Sequence, residues 1–403
     1  MSDKIRSLFD PFDPDACTDC GECFHRCPVM RLPLDVAQAE MKRLRRGEVS
    51  RHVLRRCTTC LACNLICEEQ ANPCQLVIER YHEQYRERGF PIRARYFQPH
   101  SRPNFRTYVI DRLPDDEKQF LASWADTSPC EEIFYPGCNF CTAPYLTQTS
   151  LLADFDIRGG LDYCCGEAYY RTGLYESLVQ AGRRLEKWFE ELGVGRVIMP
   201  CTAGYNMFTN VLPRFGIDLG LEITPLLAWL WDRLEQGQIE VRNKVEMVVT
   251  IQDSCYGKIF GSEYLDLPRK ILRSVGADVV ETQYCREDSL CCGIGGGFPN
   301  VSGYHPLDMT LSTFRCLRQA QRTGAEAIVV YCAGCLQMLS TGRLLYPTRR
   351  PIYHIIEVVQ MAIGEKPVHR NMQRARQFLT GMMRHQFPTL LSRNRLWMEE
   401  IIE

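Results

Sequence analysis

Long hydrophobic runs are missing from this sequence. A membrane-crossing helix needs roughly 18 predominantly apolar residues, and a run such as Pro225–Trp231 is far too short. Any work at a membrane is therefore expected to depend on something else holding the protein there. The opening Met1–Arg6 carries no apolar signal segment. An excess of one charge is also missing. The 48 Lys and Arg residues against 49 Asp and Glu leave a net charge of −1, which gives no reason to expect a nucleic-acid partner. None of the eight histidines stands in a ligand or triad pattern. The glycines of Gly293-Ile-Gly-Gly-Gly297 do not form the G-x-G-x-x-G turn behind a strand, so no dinucleotide site is expected.

The chain is instead rich in cysteine, with 22 in 403 residues. Cysteines at metal-ligand spacing in a chain without a secretory signal read as reduced ligands in the cytoplasm. Eight lie in two runs, Cys17-T-D-Cys20-G-E-Cys23-F-H-R-Cys27-Pro28 and Cys57-T-T-Cys60-L-A-Cys63-N-L-I-Cys67. Each has the spacing C-x2-C-x2-C-x3-C of a bacterial two-cluster ferredoxin, in which the fourth cysteine of each run ligates the other run's cluster. One [4Fe-4S] cubane is then assigned to Cys17, Cys20, Cys23 and Cys67. The other is assigned to Cys57, Cys60, Cys63 and Cys27. Paired C-x2-C units also suit structural zinc, but two full runs of four favour iron–sulfur. The second run departs in carrying Glu68 where proline is expected, with a spare thiol, Cys74, just downstream.

The length suits two or three domains. Residues 1–88 make the ferredoxin-like unit, closed by a helix over 75–88 that ends at Gly89. The basic segment Lys42, Arg43, Arg45, Arg46, Arg51, Arg55 and Arg56 reads as a solvated face or as a docking surface for an acidic electron partner. Residues 89–130, with five prolines, are expected to link or wrap rather than to form core. Residues 131–244 and 245–364 repeat one another. The first copy places Cys138, Cys164-Cys165-Gly166 and Cys201; the second places Cys255, Cys291-Cys292-Gly293, Cys332 and Cys335. Helices alternate with short β-branched runs, so each copy is expected to be an α/β unit on a mostly parallel sheet, its cysteines at strand ends where such sheets put their sites. Helices over 174–192 and 307–321 present Leu178, Leu185 and Phe189, and Leu307, Leu311, Phe314 and Leu317, to the core. Residues 365–403 form a basic amphipathic tail that docks on a membrane or partner surface, or packs on its own domain. Cys130, Cys285 and Cys316 fit no motif and are expected to be buried small apolar side chains.

The pattern Cys…Cys-Cys-Gly…Cys-x-x-Cys resembles the cysteine-rich CCG domain of the heterodisulfide reductase family. A dicluster unit followed by two such domains resembles that family's ferredoxin-fused members. Among these are the ferredoxin-fused heterodisulfide reductases themselves and the iron–sulfur subunits of glycolate oxidase and of anaerobic glycerol-3-phosphate dehydrogenase. The resemblance implies an α+β multidomain fold: a helical two-[4Fe-4S] domain, then two tandem α/β CCG domains. It also implies a noncubane [4Fe-4S] cluster on Cys255, Cys291, Cys292, Cys332 and Cys335, with zinc as the alternative. The first copy lacks one ligand, because Gly204 stands where the last cysteine would be; Cys138, Cys164, Cys165 and Cys201 form at most a weaker site, with Cys141 a substitute.

The expected function is an electron-transfer subunit of a larger oxidoreductase. It would relay electrons between a flavoprotein partner and a quinone-linked membrane partner or a thiol/disulfide acceptor, in the cytoplasm or peripherally at the cytoplasmic face. The alternative is a disulfide or heterodisulfide reductase whose chemistry sits on the second CCG site. Structural zinc modules serving assembly are a third reading.

Overall fold

A computed structural model describes residues 7–297 and 306–397; the opening Met1–Arg6 lies outside the described residues. A short antiparallel ladder pairs β1 (Phe90–Pro91) with β10 (Arg395–Leu396). Between them lie two four-stranded sheets. The first contains β2 (Glu132–Phe134), β3 (Asp156–Ile157), β4 (Arg196–Met199) and β5 (Glu222–Pro225), in the order β3-β2-β4-β5. The second contains β6 (Val248–Gln252), β7 (Asp278–Val279), β8 (Ala327–Val330) and β9 (Ile352–His354), in the order β7-β6-β8-β9. All pairings within both sheets are parallel, with matching registers such as Ile133↔Val197 and Ile251↔Val329. The sequence repeat is therefore a repeat of topology. In each copy the first strand connects outward on one side and the third strand lies on the other, so the order reverses between them. In open parallel sheets that reversal opens a crevice at the strands' carboxyl ends.

The strands are short and β-branched because both faces are covered; Ala327, Ile328, Val329 and Val330 are all buried. The helix Tyr175–Leu192 buries Leu178, Ala181, Leu185, Trp188, Phe189 and Leu192 and stops at Gly193, whose φ is 69°. Its counterpart Pro306–Arg322 differs from the sequence expectation. It buries Met309, Thr313, Cys316, Leu317 and Ala320, while Leu307 and Leu311 are exposed. The inward face is set by polar and small residues that fit close to the Cys-Cys-Gly turn, and a hydropathy pattern does not count these.

In the dicluster unit, the helices Leu34–Arg45 and Pro73–Arg88 brace the two cysteine runs. Its apolar core is continuous with that of the first CCG domain, joining Ile78 and Tyr81 to Tyr169, Leu178 and Phe189. The close approach occurs at Gly173, with φ 70°, where a Cβ would lie 2.7 Å from both the His82 nitrogen and the Ile78 carbonyl oxygen. A second core runs through both CCG domains.

Residues 89–130 contribute more than a linker would. They form the helices Phe105–Ile110 and Asp115–Ser123 and bury Phe97, Phe105, Tyr108 and Trp124. The prolines shape turns between these pieces while the aromatics fill the core. The tail likewise packs on its own protein: helix Asn371–Gly381 sets Phe378 edge-on to Phe105, and Arg370 and Arg374 both pair with buried Glu117. Among the described residues no helix is long and apolar enough to cross a membrane.

Candidate metal centres

The two cysteine runs share one backbone course. Asp19 and Gly21 in the first run take left-handed φ values of 58° and 79°, and Thr59 and Leu61 in the second take 48° and 63°. These reversals wind each loop so that three thiols point inward. Cys17, Cys20 and Cys23 line one cavity of about 240 Å³, and the fourth cysteine on its wall is Cys67 from the other run. Burial, and then the neighbouring Cys67, Cys20 and Cys17, push the Cys23 thiol up. Cys27 crosses in the other direction. Its thiol is pushed up to about 11 by burial and then by Cys60, and Cys57 is raised by burial and by Cys74, Cys27 and Cys60. The cavity brings Cys67 to the three thiols of the first run, while Cys27 and Cys74 both neighbour the thiols of the second run. Cys74 does not line the Cys67 cavity; it is fully buried and neighbours Cys63, which draws its thiol down.

Backbone N–H groups already point at several of these sulfurs: Met30 at Cys27 (3.4 Å), Thr59 at Cys57 (3.3 Å) and Ala71 at Cys67 (3.4 Å). Such donors help set cluster potentials. Among the described residues no three His, Cys, Asp or Glu groups close up to the spacing of a single metal ion. Thiols spread around a cavity wall fit a multi-iron cage, which takes each ligand on a different iron.

The second CCG site is built at the reversal between β6 and β8. Cys255 follows β6 and Cys332 follows β8. One buried carboxylate ties the two strand ends together. Asp253 accepts from Arg269 (2.8 Å to each oxygen) and from the Tyr331 hydroxyl (3.1 Å), which itself accepts from the Ser254 N–H (3.0 Å). The five thiols are linked in one series. Cys255 acts on the protonation of Cys291, Cys291 on Cys292, Cys292 on Cys335, and Cys335 on Cys332, so the five thiols are neighbours one after another around the site. The neighbouring Cys291 and Cys335 thiols pull Cys292 down, and Cys335 pulls Cys332 down. Gly293, at φ 107°, allows this turn to press on the helix Pro306–Arg322, since a Cβ would lie 2.5 Å from Thr313 Oγ1.

The first CCG site has the same placement but a broken series. Cys138 and Cys164 bring their sulfurs to 3.5 Å, and Cys164 draws down the adjoining Cys165 thiol. Cys201 stands apart, its sulfur accepting from the Gly204 N–H at 3.5 Å and sensing Cys332 more strongly than Cys138. Cys141 does not fill the gap left by Gly204; its thiol faces the Gly137 carbonyl at 3.8 Å. Of the three cysteines outside the motifs, Cys316 is buried, but Cys130 and Cys285 are only half-buried. Cys130 lies just before β2 and packs against the edge of the core shared by the dicluster unit and the first CCG domain, and Cys285 precedes a turn.

Two arginines escaped the sequence reading. Arg106, buried in the 89–130 segment, donates to Asn139 Oδ1 (3.0 Å) and the Phe97 carbonyl (3.3 Å), with Cys138 and Cys164 among the groups raising its charge affinity. Arg171, also buried, reaches toward the Thr59 carbonyl (3.5 Å) and the Cys255 sulfur (3.7 Å) and pairs with Glu167 (3.2 Å). A single arginine in a helix carries no sequence signal of burial; only its place six residues after Cys165 could have drawn attention. The basic segment is also partly structural: Arg45 pairs with Asp19 (2.8 Å) and donates to the Cys17 carbonyl (3.2 Å), fixing the first loop.

Comparison with known proteins agrees with this arrangement. Residues 10–68 match a 4Fe-4S dicluster domain, and residues 134–209 and 244–340 each match the cysteine-rich CCG domain. The chain is thus an iron–sulfur protein made of a dicluster domain and two CCG domains. This combination agrees with the resemblance to the heterodisulfide reductase-related iron–sulfur proteins. It is 24% identical to a dihydromethanophenazine:CoB–CoM heterodisulfide reductase subunit of Methanosarcina mazei, over 87% of this chain and 94% of that protein. It is 28% identical to the EtfAB:quinone oxidoreductase of Syntrophomonas wolfei, over 58% of this chain and 33% of that protein. It is 23% identical to the probable iron-sulfur-binding oxidoreductase FadF of Bacillus subtilis, over 86% of this chain and 46% of that protein.

Proposed function

We propose that this protein is the electron-transfer subunit of a larger oxidoreductase, carrying electrons between a flavoprotein partner and a quinone-linked or thiol/disulfide acceptor. Cys17, Cys20, Cys23 and Cys67 hold one cubane, and Cys57, Cys60, Cys63 and Cys27 hold the other. Cys255, Cys291, Cys292, Cys332 and Cys335 hold a noncubane cluster. Bound at these thiols, the clusters supply one-electron storage that no side chain offers. The chain's own residues space the centres, exclude water from all but one, and donate hydrogen bonds to sulfur.

The observation that carries the reading is the order of burial and contact. Cys20 is exposed, so the first set meets the surface and a partner. Cys27, Cys60 and Cys63 are buried, and their loop runs into the second CCG turn: a Cβ on Gly295 would lie 2.8 Å from the Thr58 carbonyl oxygen. A surface centre, a buried centre and a terminal site in contact make a relay. The disulfide reductase reading rests on the unbroken five-thiol series and on the name of the Methanosarcina relative. The protein works in the cytoplasm, held at the membrane face through partners.

Iron and acid-labile sulfide counted on anaerobically purified protein test this. The relay with a third centre requires about twelve irons per chain; about eight means two cubanes and no third cluster. An EPR signal that appears only on oxidation with a thiol present would favour the reductase. Stoichiometric zinc in place of the third iron complement would overturn both.

A further inference from the structure

Three parts of the protein meet at one side chain. Arg171 leaves the short helix Glu167–Thr172 directly after the first Cys-Cys-Gly turn. Its Nη2 lies 3.5 Å from the Thr59 carbonyl oxygen, inside the second dicluster run, and 3.7 Å from the Cys255 sulfur of the second CCG site. Its guanidinium carbon sits 5.1 Å from the Tyr256 ring centroid, and its Nε lies 3.2 Å from Glu167. The side chain is 2% exposed. Thr59, in turn, donates its N–H to the Cys57 sulfur at 3.3 Å. From Cys57 to Cys255 the route therefore runs through one residue and one guanidinium.

We infer that Arg171 is the positioning residue at the contact of the second dicluster run with the second CCG site, its fixed positive charge setting the redox balance between these inner centres and the surface-facing cubane. The inference rests on the relay reading above. At 3.5 Å the Thr59 contact is too long for a strong hydrogen bond, so the effect is one of charge. An arginine stays protonated whatever its surroundings and presents several donors in a rigid fork. In a buried setting its field is weakly screened, and a positive charge stabilises the more negative, reduced form of any centre beside it. Both neighbouring centres are held at higher potential than they would otherwise have. The Cys17/Cys20/Cys23/Cys67 set does not share these close contacts and keeps its own potential. Glu167, the carboxylate in ion-pair contact with Arg171, is 17% exposed and only partly cancels this field.

The test is a redox titration of the full-length protein followed by EPR, on wild type, R171M, R171K and the double variant R171M/E167Q. The double variant removes the carboxylate that R171M would leave behind, and guards against a misfolded single variant. In R171M/E167Q the centre held by Cys57, Cys60, Cys63 and Cys27 should drop in potential against the surface centre. The expected change is about tenfold in their electron distribution, which is about 59 mV for a one-electron couple. R171K, retaining the charge, should recover part of the shift. Unchanged potentials at both cubanes, or an equal shift of both, would overturn the inference, since a merely structural arginine would disturb neither or both. If iron analysis finds no third cluster, the relay to a third centre fails. The difference between the two cubane potentials still decides the role of Arg171.

Discussion

Glu40 accepts a 2.5 Å hydrogen bond from the Ser50 hydroxyl, and through it the helix Leu34–Arg45 grips the loop that delivers Cys57. The same fully buried carboxylate accepts from the N–H groups of Arg51, His52 and Val53, at 3.1, 2.9 and 3.1 Å. It thereby caps the short helix Val53–Arg56 immediately before the second cysteine run. Burial alone would push the carboxyl up, but the Ser50 hydroxyl and the amides overcome it and hold it down at about 2. A depressed carboxyl contributes stability that is whole above its unfolded value and is lost as pH falls through its folded value. The stabilisation is thus present above about pH 4.5 and fades toward pH 2. E40Q should lower stability by about 2–4 kcal/mol at pH 7. Urea unfolding of wild type and variant should show the gap narrowing below pH 4.5; a gap independent of pH would refute it.

The junction of dicluster unit and first CCG domain depends on Gly173. An alanine there would need both a left-handed φ of 70° and room for a Cβ 2.7 Å from backbone atoms of the facing helix. Backbone cannot move aside as a side chain can. G173A should cost about 2–4 kcal/mol, the left-handed conformation accounting for about 1–2 of it. Because the helix Pro73–Arg88 would be displaced, cubane content should fall with stability. Visible absorbance of the purified variant compared with its thermal midpoint checks the link.

Arg269 and Asp253, 1% and 0% exposed, form the ion pair behind the second CCG site. Removing one partner leaves a buried charge uncompensated, which costs about 3–5 kcal/mol. R269M should therefore destabilise the protein by about that amount and release the Asp253–Tyr331 tie between the strands delivering Cys255 and Cys332. Iron at the second CCG site should be lost while the eight dicluster cysteines keep theirs. R269M/D253N, which removes both charges, should recover part of the stability. A single variant as stable as wild type by chemical denaturation would refute the role given to the pair.

Spacing alone made the dicluster domain legible, because two runs of four cysteines at one spacing have few other uses. The repeat made the paired sheets legible for a similar reason, since a period of cysteines and β-branched runs follows the strands. What escaped was set by packing. Phe97, Phe105 and Trp124 were hidden among prolines that read as linker, although those prolines turn between buried helices. Leu307 and Leu311 followed a helical period but point outward, because Thr313 and Cys316 take the inner face through bonds to the Cys292 and Cys291 carbonyls, at 2.9 and 3.4 Å. Arg171 and Arg106 were invisible because Cys255 and Asn139, which they reach, are far away in sequence.

The missing ligand of the first CCG site is a matter of space as well as of sequence. A Cβ on Gly204 would lie 2.9 Å from the Met199 sulfur and 3.6 Å from the Cys201 Cβ. Met199 is the last residue of β4 and is buried, and its sulfur is the first atom that a side chain at position 204 would meet. Restoring the cysteine alone should overpack the site, at a cost of about 1–3 kcal/mol, without adding iron. G204C/M199A clears that contact and places a fifth thiol beside Cys201, extending the Cys138–Cys164–Cys165 series toward the form it has in the second copy. The double variant should bind more iron and sulfide per chain than wild type, while G204C should not. Equal iron in wild type and double variant would mean that the first copy is kept empty by something other than the Met199 side chain.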